Sequence, residues 1–456
     1  MSLNDALTFA QTHRSRFVDQ LGDLVRIPSV STDPDRRSDI EAAAGWIAGY
    51  LERIGVRNVT LYPPETHPIV YGERLDAGPE APTILIYGHY DVQPVEPLDK
   101  WASEPFTPTV HGENLYGRGA SDMKGNVMAS IYAVEAALSA GPLPVNVKFM
   151  IEGQEEIGSP MLAGFMETHK DMLAADFCLN PDTGMLAPGV PTITYGLRGL
   201  AYFELRVYGP ENDLHSGIFG GTVHNPAQVL AELIAGMHDA DGRVTLPGFY
   251  DDVRPLSDEE RQELARLPVT DEQIRQNAGV ARLWGEPDYS AVERLGTRPT
   301  LEVNGLLSGF TGKGAKTVLP AHAMAKISCR LVPDQDDAAI KGMLENYLQT
   351  HAPDTVRWEV EEMAHAPASI SNRDSPWIRA MMAGQEAAWG VRPLFKREGG
   401  SVPMVSDVKG ILGIDSINVG CGLPDDSVHG PNEKLHLPTF HTFIDALVHF
   451  LYELKK

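Results

Sequence analysis

Histidines and carboxylates recur in this chain where short apolar runs stop. Residues 83–87 run into Gly88-His89-Tyr90-Asp91, residues 145–151 into Glu152-Gly153-Gln154-Glu155-Glu156, and residues 176–179 into Asn180-Pro181-Asp182. Another carboxylate, Asp122, and a cation, Lys124, lie inside Gly117-Arg118-Gly119-Ala120-Ser121-Asp122-Met123-Lys124-Gly125. Far downstream, His429 stands in the turn-forming Val428-His429-Gly430-Pro431-Asn432-Glu433. Imidazole nitrogens mixed with carboxylate oxygens suit zinc, manganese or cobalt better than calcium or magnesium. One carboxylate can also bridge two such ions about 3.5 Å apart, the spacing of two-metal hydrolysis. Two other chemistries are disfavoured. The glycine loop lacks the Gly-Lys-Ser/Thr series of a phosphate-binding loop. Ser401 follows Gly399-Gly400 with no Gly-x-Ser-x-Gly elbow around it, which argues against a serine nucleophile.

Each of these residues has a plainer reading when taken alone. His89 or His429 can be a hydrogen-bonded loop histidine. Asp122 can be a helix N-cap, Asp91 a turn aspartate, and Glu155-Glu156 a solvated acidic pair. What joins them is the set of elements that must position them. Residues 83–87, 145–151 and 176–179 read as buried strands, and residues 126–140 and 161–172 between them as helices. That order, β-α-β-α-β, implies parallel strands. In open α/β sheets ligands bind beyond the carboxyl ends of the strands, where these side chains emerge.

Together and in order, the motifs resemble those of the M20 metallopeptidases, and most closely the carnosinase-like (cytosolic nonspecific) dipeptidases. The resemblance rests on His89-Tyr90-Asp91-Val92-Gln93-Pro94, on Gly117-Arg118-Gly119 through Asp122-Met123-Lys124-Gly125, and on Glu155-Glu156-Ile157-Gly158-Ser159, Asp182 and His429-Gly430-Pro431-Asn432-Glu433. It covers essentially the whole chain. It implies two divalent ions per subunit, zinc first and manganese as the alternative. Asp122 would bridge them and be followed by a cis peptide bond. His89 and Asp182 would complete one ion's shell, Glu156 and His429 the other's. Glu155 would be the general base for a bridging hydroxide nucleophile, and Asp91 would hold the His89 imidazole.

By the same resemblance, an inserted lid would pair with its twin in a homodimer. His215 of that lid would polarise the scissile carbonyl and, with Thr317, reach the partner's site. Arg330 would hold the substrate's free C-terminal carboxylate, with Gly400 and Ser401 as further substrate contacts. Arg330 taken alone also reads as a structural salt bridge. The implied reaction is hydrolysis of dipeptides or short peptides that carry a free C-terminal carboxylate. An N-acyl amino acid deacylase of the same family is the alternative. A non-catalytic metal-dependent binding or scaffold protein is a third reading, weakened because such a protein needs no base at Glu155.

Length and composition set the bounds. At 456 residues the chain is too long for one ordinary core, which favours two domains. It is 43% hydrophobic and 22% charged, a globular balance. Its 38 basic and 62 acidic residues leave a formal charge of −24, which argues against nucleic acid or an anionic membrane as partner. Cys178, Cys329 and Cys421 are widely spaced, with no CxxC pair, as in a reducing, cytoplasmic setting. The first 24 residues mix charge with apolar positions like an amphipathic helix rather than a signal peptide. No run of 18 apolar residues suggests a membrane span.

The expected architecture is an α/β catalytic domain, residues 1–190 and 367–456, whose mainly parallel central sheet is flanked by helices. An α+β lid or dimerisation domain, residues 191–366, is inserted into it. Within that insertion, residues 192–208, 323–332 and 355–361 read as strands, and 226–238 and 335–350 as helices.

Overall fold

Three strands carry the organising motifs to one place. Thr83–His89 lies between Asn146–Glu152 and Phe177–Asn180, and all three are parallel. The computed structural model describes residues 2–63, 67–400 and 402–455. From its middle strand the chain passes through helix Lys124–Ser139 to the strand on one side. It then returns through Leu162–Thr168 and Lys170–Leu173 to the strand on the other side. His89 therefore ends at a topological switch point, between the loops that follow Glu152 and Asn180. Ser416–Asn418 adds a fourth parallel strand. Antiparallel strands extend the sheet at both ends: Ile69–Arg74 and Arg57–Tyr62 on one side, Thr192–Leu197 on the other.

The central strands are covered on both faces, and the polar residues among them, such as Lys148, find partners: its Nζ donates to Met172 O and Ala174 O, each at 2.7 Å. Every residue of Asn146–Glu152 is buried, as in parallel strands covered by helices on both sides. Helix Lys124–Ser139 is likewise buried almost all round. It packs on the His89 strand, on Leu3–Thr12 and on Leu437–Glu453. Each fully buried apolar side chain contributes about 1.5–3 kcal/mol, so this helix is held by tertiary packing and carries its first turn as a fixed platform.

The chain divides into two compact units. One comprises Met1–Tyr195, Ser371–Lys396 and Pro403–Lys456; the other comprises Gly196–Ile370 and Arg397–Val402. The second unit contains a four-stranded antiparallel sheet in the order Thr300–Ser308, His322–Leu331, Gly199–Tyr208, Arg357–Ala366. Alternate residues Ala201, Phe203, Leu205 and Val207 turn to a core shared with helices Pro226–Gly236 and Ile340–His351. Tyr347 Oη ties those helices together by donating to Leu233 O at 2.9 Å.

Several elements depart from the sequence expectation at identifiable points. The N-terminal helix is two helices, Leu3–Thr12 and Arg14–Val25, and the helix expected over residues 161–172 breaks at His169. Both breaks fall at a histidine whose Nδ1 approaches the carbonyl four residues back, His13 to Phe9 O at 2.8 Å and His169 to Phe165 O at 2.9 Å. Each carbonyl also accepts the histidine's own backbone N–H, at 3.1 and 3.0 Å, so the ring nitrogen shares an acceptor at a helix end. The extended stretch over residues 192–208 is two strands separated at Arg198. The helix expected from residue 335 begins at Ile340, after a short 3₁₀ turn over Asp337–Ala339.

Candidate metal centre

The first unit brings together His89, Asp91, Asp122, Glu155, Glu156, Asp182 and His429. Two groups that could hold a metal ion result, His89–Asp122–Asp182 and Asp122–Glu156–His429, and Asp122 belongs to both. Its two oxygens face opposite ways: Oδ1 lies 3.3 Å from His89 Nε2, and Oδ2 lies 2.9 Å from His429 Nε2. Asp182 Oδ2 is 3.9 Å from His89 Nε2, and Glu156 Oε2 is 3.2 Å from His429 Nε2. Glu155 Oε2 stands 3.9 Å from His89 Nε2, beside the first set. The peptide bond from Asp122 to Met123 is cis.

The donor chemistry fits divalent ions. His89 Nε2 is buried and has no hydrogen-bond partner, although it points into three carboxylates. Burial pushes the Asp182 carboxyl well up, opposed by His89 and reinforced by Asp122, Glu155 and Glu156. Burial also raises Glu155, against the pull of His89. Crowded, half-buried carboxylates facing a buried imidazole nitrogen are a site that cations would neutralise. Zinc or manganese suits this nitrogen and oxygen set.

A further layer of contacts orients these groups. Asp91 Oδ1 lies 3.3 Å from His89 Nδ1, which leaves Nε2 to face the carboxylates. The Asp91 carboxylate also accepts from Glu155 N and Glu156 N, at 3.2 and 3.1 Å. One aspartate thus fixes an imidazole and the turn that bears both glutamates. Gln93 Nε2 donates to Glu156 Oε2 at 2.8 Å. Glu433, fully buried, accepts from Gly119 N, Ser121 N and Asp122 N at 2.9, 3.0 and 3.0 Å, and from Arg118 Nη1 at 2.7 Å. Gln93 and Glu433 stand in the sequence motifs, but sequence reasoning gave them no role. The Glu433 contact spans 311 residues of chain, and no local pattern announces it.

The remaining candidates lie in the second unit. His215 and Thr317 are exposed neighbours: strand Leu214–His215 pairs with Val318–Leu319, and Ser216 N donates to Thr317 O at 3.1 Å. Arg330 is half-buried, on the sheet face opposite the helices. Gly400 is exposed, and Ser401 lies outside the described residues. His224 and His436, without an expected role, each contact a threonine hydroxyl, of Thr355 and Thr439.

Two groups of histidine and carboxylate side chains that could each hold a metal ion thus meet at the switch point of an α/β sheet. The sequence pattern of peptidase family M20/M25/M40 matches residues 85–453. The Cys-Gly metallodipeptidase DUG1 of Candida albicans is 32% identical over 94% of this chain and 92% of its own length. The human Beta-Ala-His dipeptidase is 31% identical over 95% of this chain and 89% of its own. The structure of Sso-CP2, an M20 family metallo-carboxypeptidase from Sulfolobus solfataricus, superposes with a TM-score of 0.83 at 33% identity, covering 96% of this chain and 99% of that one. The chain belongs to peptidase family M20 and is an enzyme of its metallodipeptidase group. No helix among the described residues is long and apolar enough to cross a membrane.

Proposed function

We propose that the protein hydrolyses the peptide bond of dipeptides with a free C-terminal carboxylate at a centre that holds two divalent ions. The observation that carries this reading is Asp122, whose two oxygens face two histidines, each with its own carboxylate partner. When bound, the ions would polarise the scissile carbonyl and acidify the attacking water. His89 and Asp182 would hold one ion, Glu156 and His429 the other, and Asp122 both. Glu155 accepts the proton of the water and passes it to the leaving amine. Its carboxyl is raised by burial, which suits a group that must both take and return a proton. Asp91 keeps the His89 ring and the Glu155–Glu156 turn in register throughout.

Arg330 would read the substrate carboxylate by a charged hydrogen bond. His215 would donate to the oxyanion as the tetrahedral intermediate forms. The domain assignment extends this reading: the first unit carries out the chemistry and the second is the lid, paired with a second copy of the chain.

Glu155→Gln tests the central role. The variant should keep its metal content, measured by plasma mass spectrometry, while turnover of a dipeptide falls ~100-fold or more. Activity within a few-fold of the wild type would remove Glu155 from the mechanism. Faster cleavage of N-acyl amino acids than of dipeptides would instead support a deacylase.

A further inference from the structure

The two histidines of the metal centre are held in different ways. His89 ends a buried strand, its side chain is 1% exposed, and its Nδ1 faces the Asp91 carboxylate at 3.3 Å. His429 lies on a surface segment, and its side chain is 54% exposed. Its Nε2 faces Asp122 and Glu156, and among the described residues no carboxylate or carbonyl stands within hydrogen-bond reach of its Nδ1. A ligating imidazole is usually oriented through its second nitrogen. Here the backbone must place the ring.

That backbone is held in an uncommon conformation. Ser427, His429 and Asn432 are left-handed, with φ of 55°, 62° and 63°. For residues with a Cβ this conformation persists only where the surroundings enforce it. Lys434 N donates to Asp426 O at 3.0 Å and closes the base of the segment. Apart from the contacts of His429 itself, the hydrogen bonds that tie residues 427–432 to another segment, among the described residues, are those of the Asn432 amide. Its Oδ1 accepts from Ala102 N at 2.7 Å, and its Nδ2 donates to Lys100 O at 2.9 Å.

The amide grips the loop that follows the His89 strand, and that loop is itself braced. Trp101 Nε1 donates to Val95 O at 2.7 Å, and Arg118 Nη2 donates to Pro94 O at 3.0 Å. The Arg118 guanidinium also lies 5.4 Å from the centre of the Trp101 ring. At the start of the same loop, Gln93 Nε2 donates to Glu156 Oε2 at 2.8 Å. One loop therefore holds both residues that belong to the Asp122–Glu156–His429 group alone: Glu156 directly, and His429 through Asn432.

We propose that Asn432 is a positioning residue for His429. Its amide, clamped on residues 100–102, sets the affinity of the Asp122–Glu156–His429 group for its ion and leaves that of the His89–Asp122–Asp182 group alone. The inference rests on the two-ion reading of the centre.

The test starts from the zinc-loaded enzyme and follows the zinc retained against a graded chelator, in wild type, Asn432→Gly and Asn432→Asp. Glycine adopts the left-handed backbone freely, so that variant removes the amide without adding strain. Aspartate tolerates the same backbone and keeps the acceptor for Ala102 N. Asn432 is half-buried at the surface, so neither change opens the core. The wild type should release two zinc ions. Asn432→Gly should release one of them at ~10–100-fold higher free zinc and the other within ~2-fold of the wild type. Asn432→Asp should show the same selectivity with a smaller shift. Anomalous diffraction from Asn432→Gly crystals at limiting zinc should place the retained ion beside His89 and Asp182. An ion retained beside His429 instead, or two ions that are weakened equally or not at all, would overturn the role of Asn432 and leave the two-ion centre standing. A wild type that holds a single zinc would overturn the two-ion reading, and this inference with it.

Discussion

Glu433 and Arg118 show how much of this site depends on residues outside the two groups that could hold an ion. Both side chains are essentially inaccessible to solvent. Glu433 gathers three backbone N–H groups of the Asp122 loop, so the position of Asp122 depends on a buried carboxylate from the segment that also bears His429. Removing one charge of such a pair strands the other, at a cost of about 3–5 kcal/mol. Glu433→Gln alone should therefore lower stability to chemical denaturation by about that much. The double variant Arg118→Met/Glu433→Gln removes both charges and should recover most of it. An amide still offers one acceptor and places donors against donors, so metal affinity in the double variant should stay ~10–100-fold weaker. Metal titration of the folded double variant checks this. Wild-type affinity would mean that the pair serves the fold alone.

Among the elements, helix Lys124–Ser139 is the most constrained. Gly125 lies in its first turn, and a Cβ there would sit 2.2 Å from Ala120 O. Because the obstacle is backbone, Gly125→Ala should destabilise the protein by a few kcal/mol and loosen the Asp122 loop, lowering Tm and metal content together. Helix Leu437–Glu453 makes a separate prediction. His441 has a buried Nδ1 with no hydrogen-bond partner, and burial, with the nearby Arg14, pushes its pKa down to about 4. A free histidine titrates near 6.5, so the folded state holds the neutral ring and protonation favours unfolding. The stability tied to this ring is complete above about pH 6.5 and is lost as pH falls toward 4. His441→Phe should show a smaller drop in Tm from pH 7 to pH 5 than the wild type. An identical drop would remove His441 from the acid response.

These elements also show what was legible in the sequence. The strand ending at His89 is a continuous apolar run, so its burial on both faces was written in composition, whereas the strand ending at Glu152 carries Lys148 and alternates in part, so its full burial was less plainly written. Helix breaks at His13 and His169 were not, because a side-chain nitrogen competing for a carbonyl leaves no trace in hydrophobic period. At the metal centre, residue types and strand ends announced which histidines and carboxylates could meet. The Glu433 brace and the Gln93 contact depend on loop closure across hundreds of residues, for which a linear reading has no signal.

For the whole molecule, the edge of the second unit's sheet is the informative feature. Strand Thr300–Ser308 is an edge strand that exposes Val303, Leu306 and Leu307 by 40%, 62% and 52%. An apolar open edge invites pairing with another strand, and the proposed partner is a second copy of the chain. Leu306→Lys should shift the protein from dimer to monomer in sedimentation. Complementation tests whether the dimer completes the site. Glu155→Gln and His215→Ala should each be nearly inactive, and subunit exchange should restore activity if His215 serves its partner. No recovery in proven heterodimers would place His215 in its own chain's site or outside the mechanism. Anomalous diffraction from crystals grown with zinc tests most directly whether Asp122 bridges two ions. It should show two peaks about 3.5–4 Å apart with one Asp122 oxygen toward each. A single fully occupied peak, or two ions with Asp122 bound to only one of them, would contradict it.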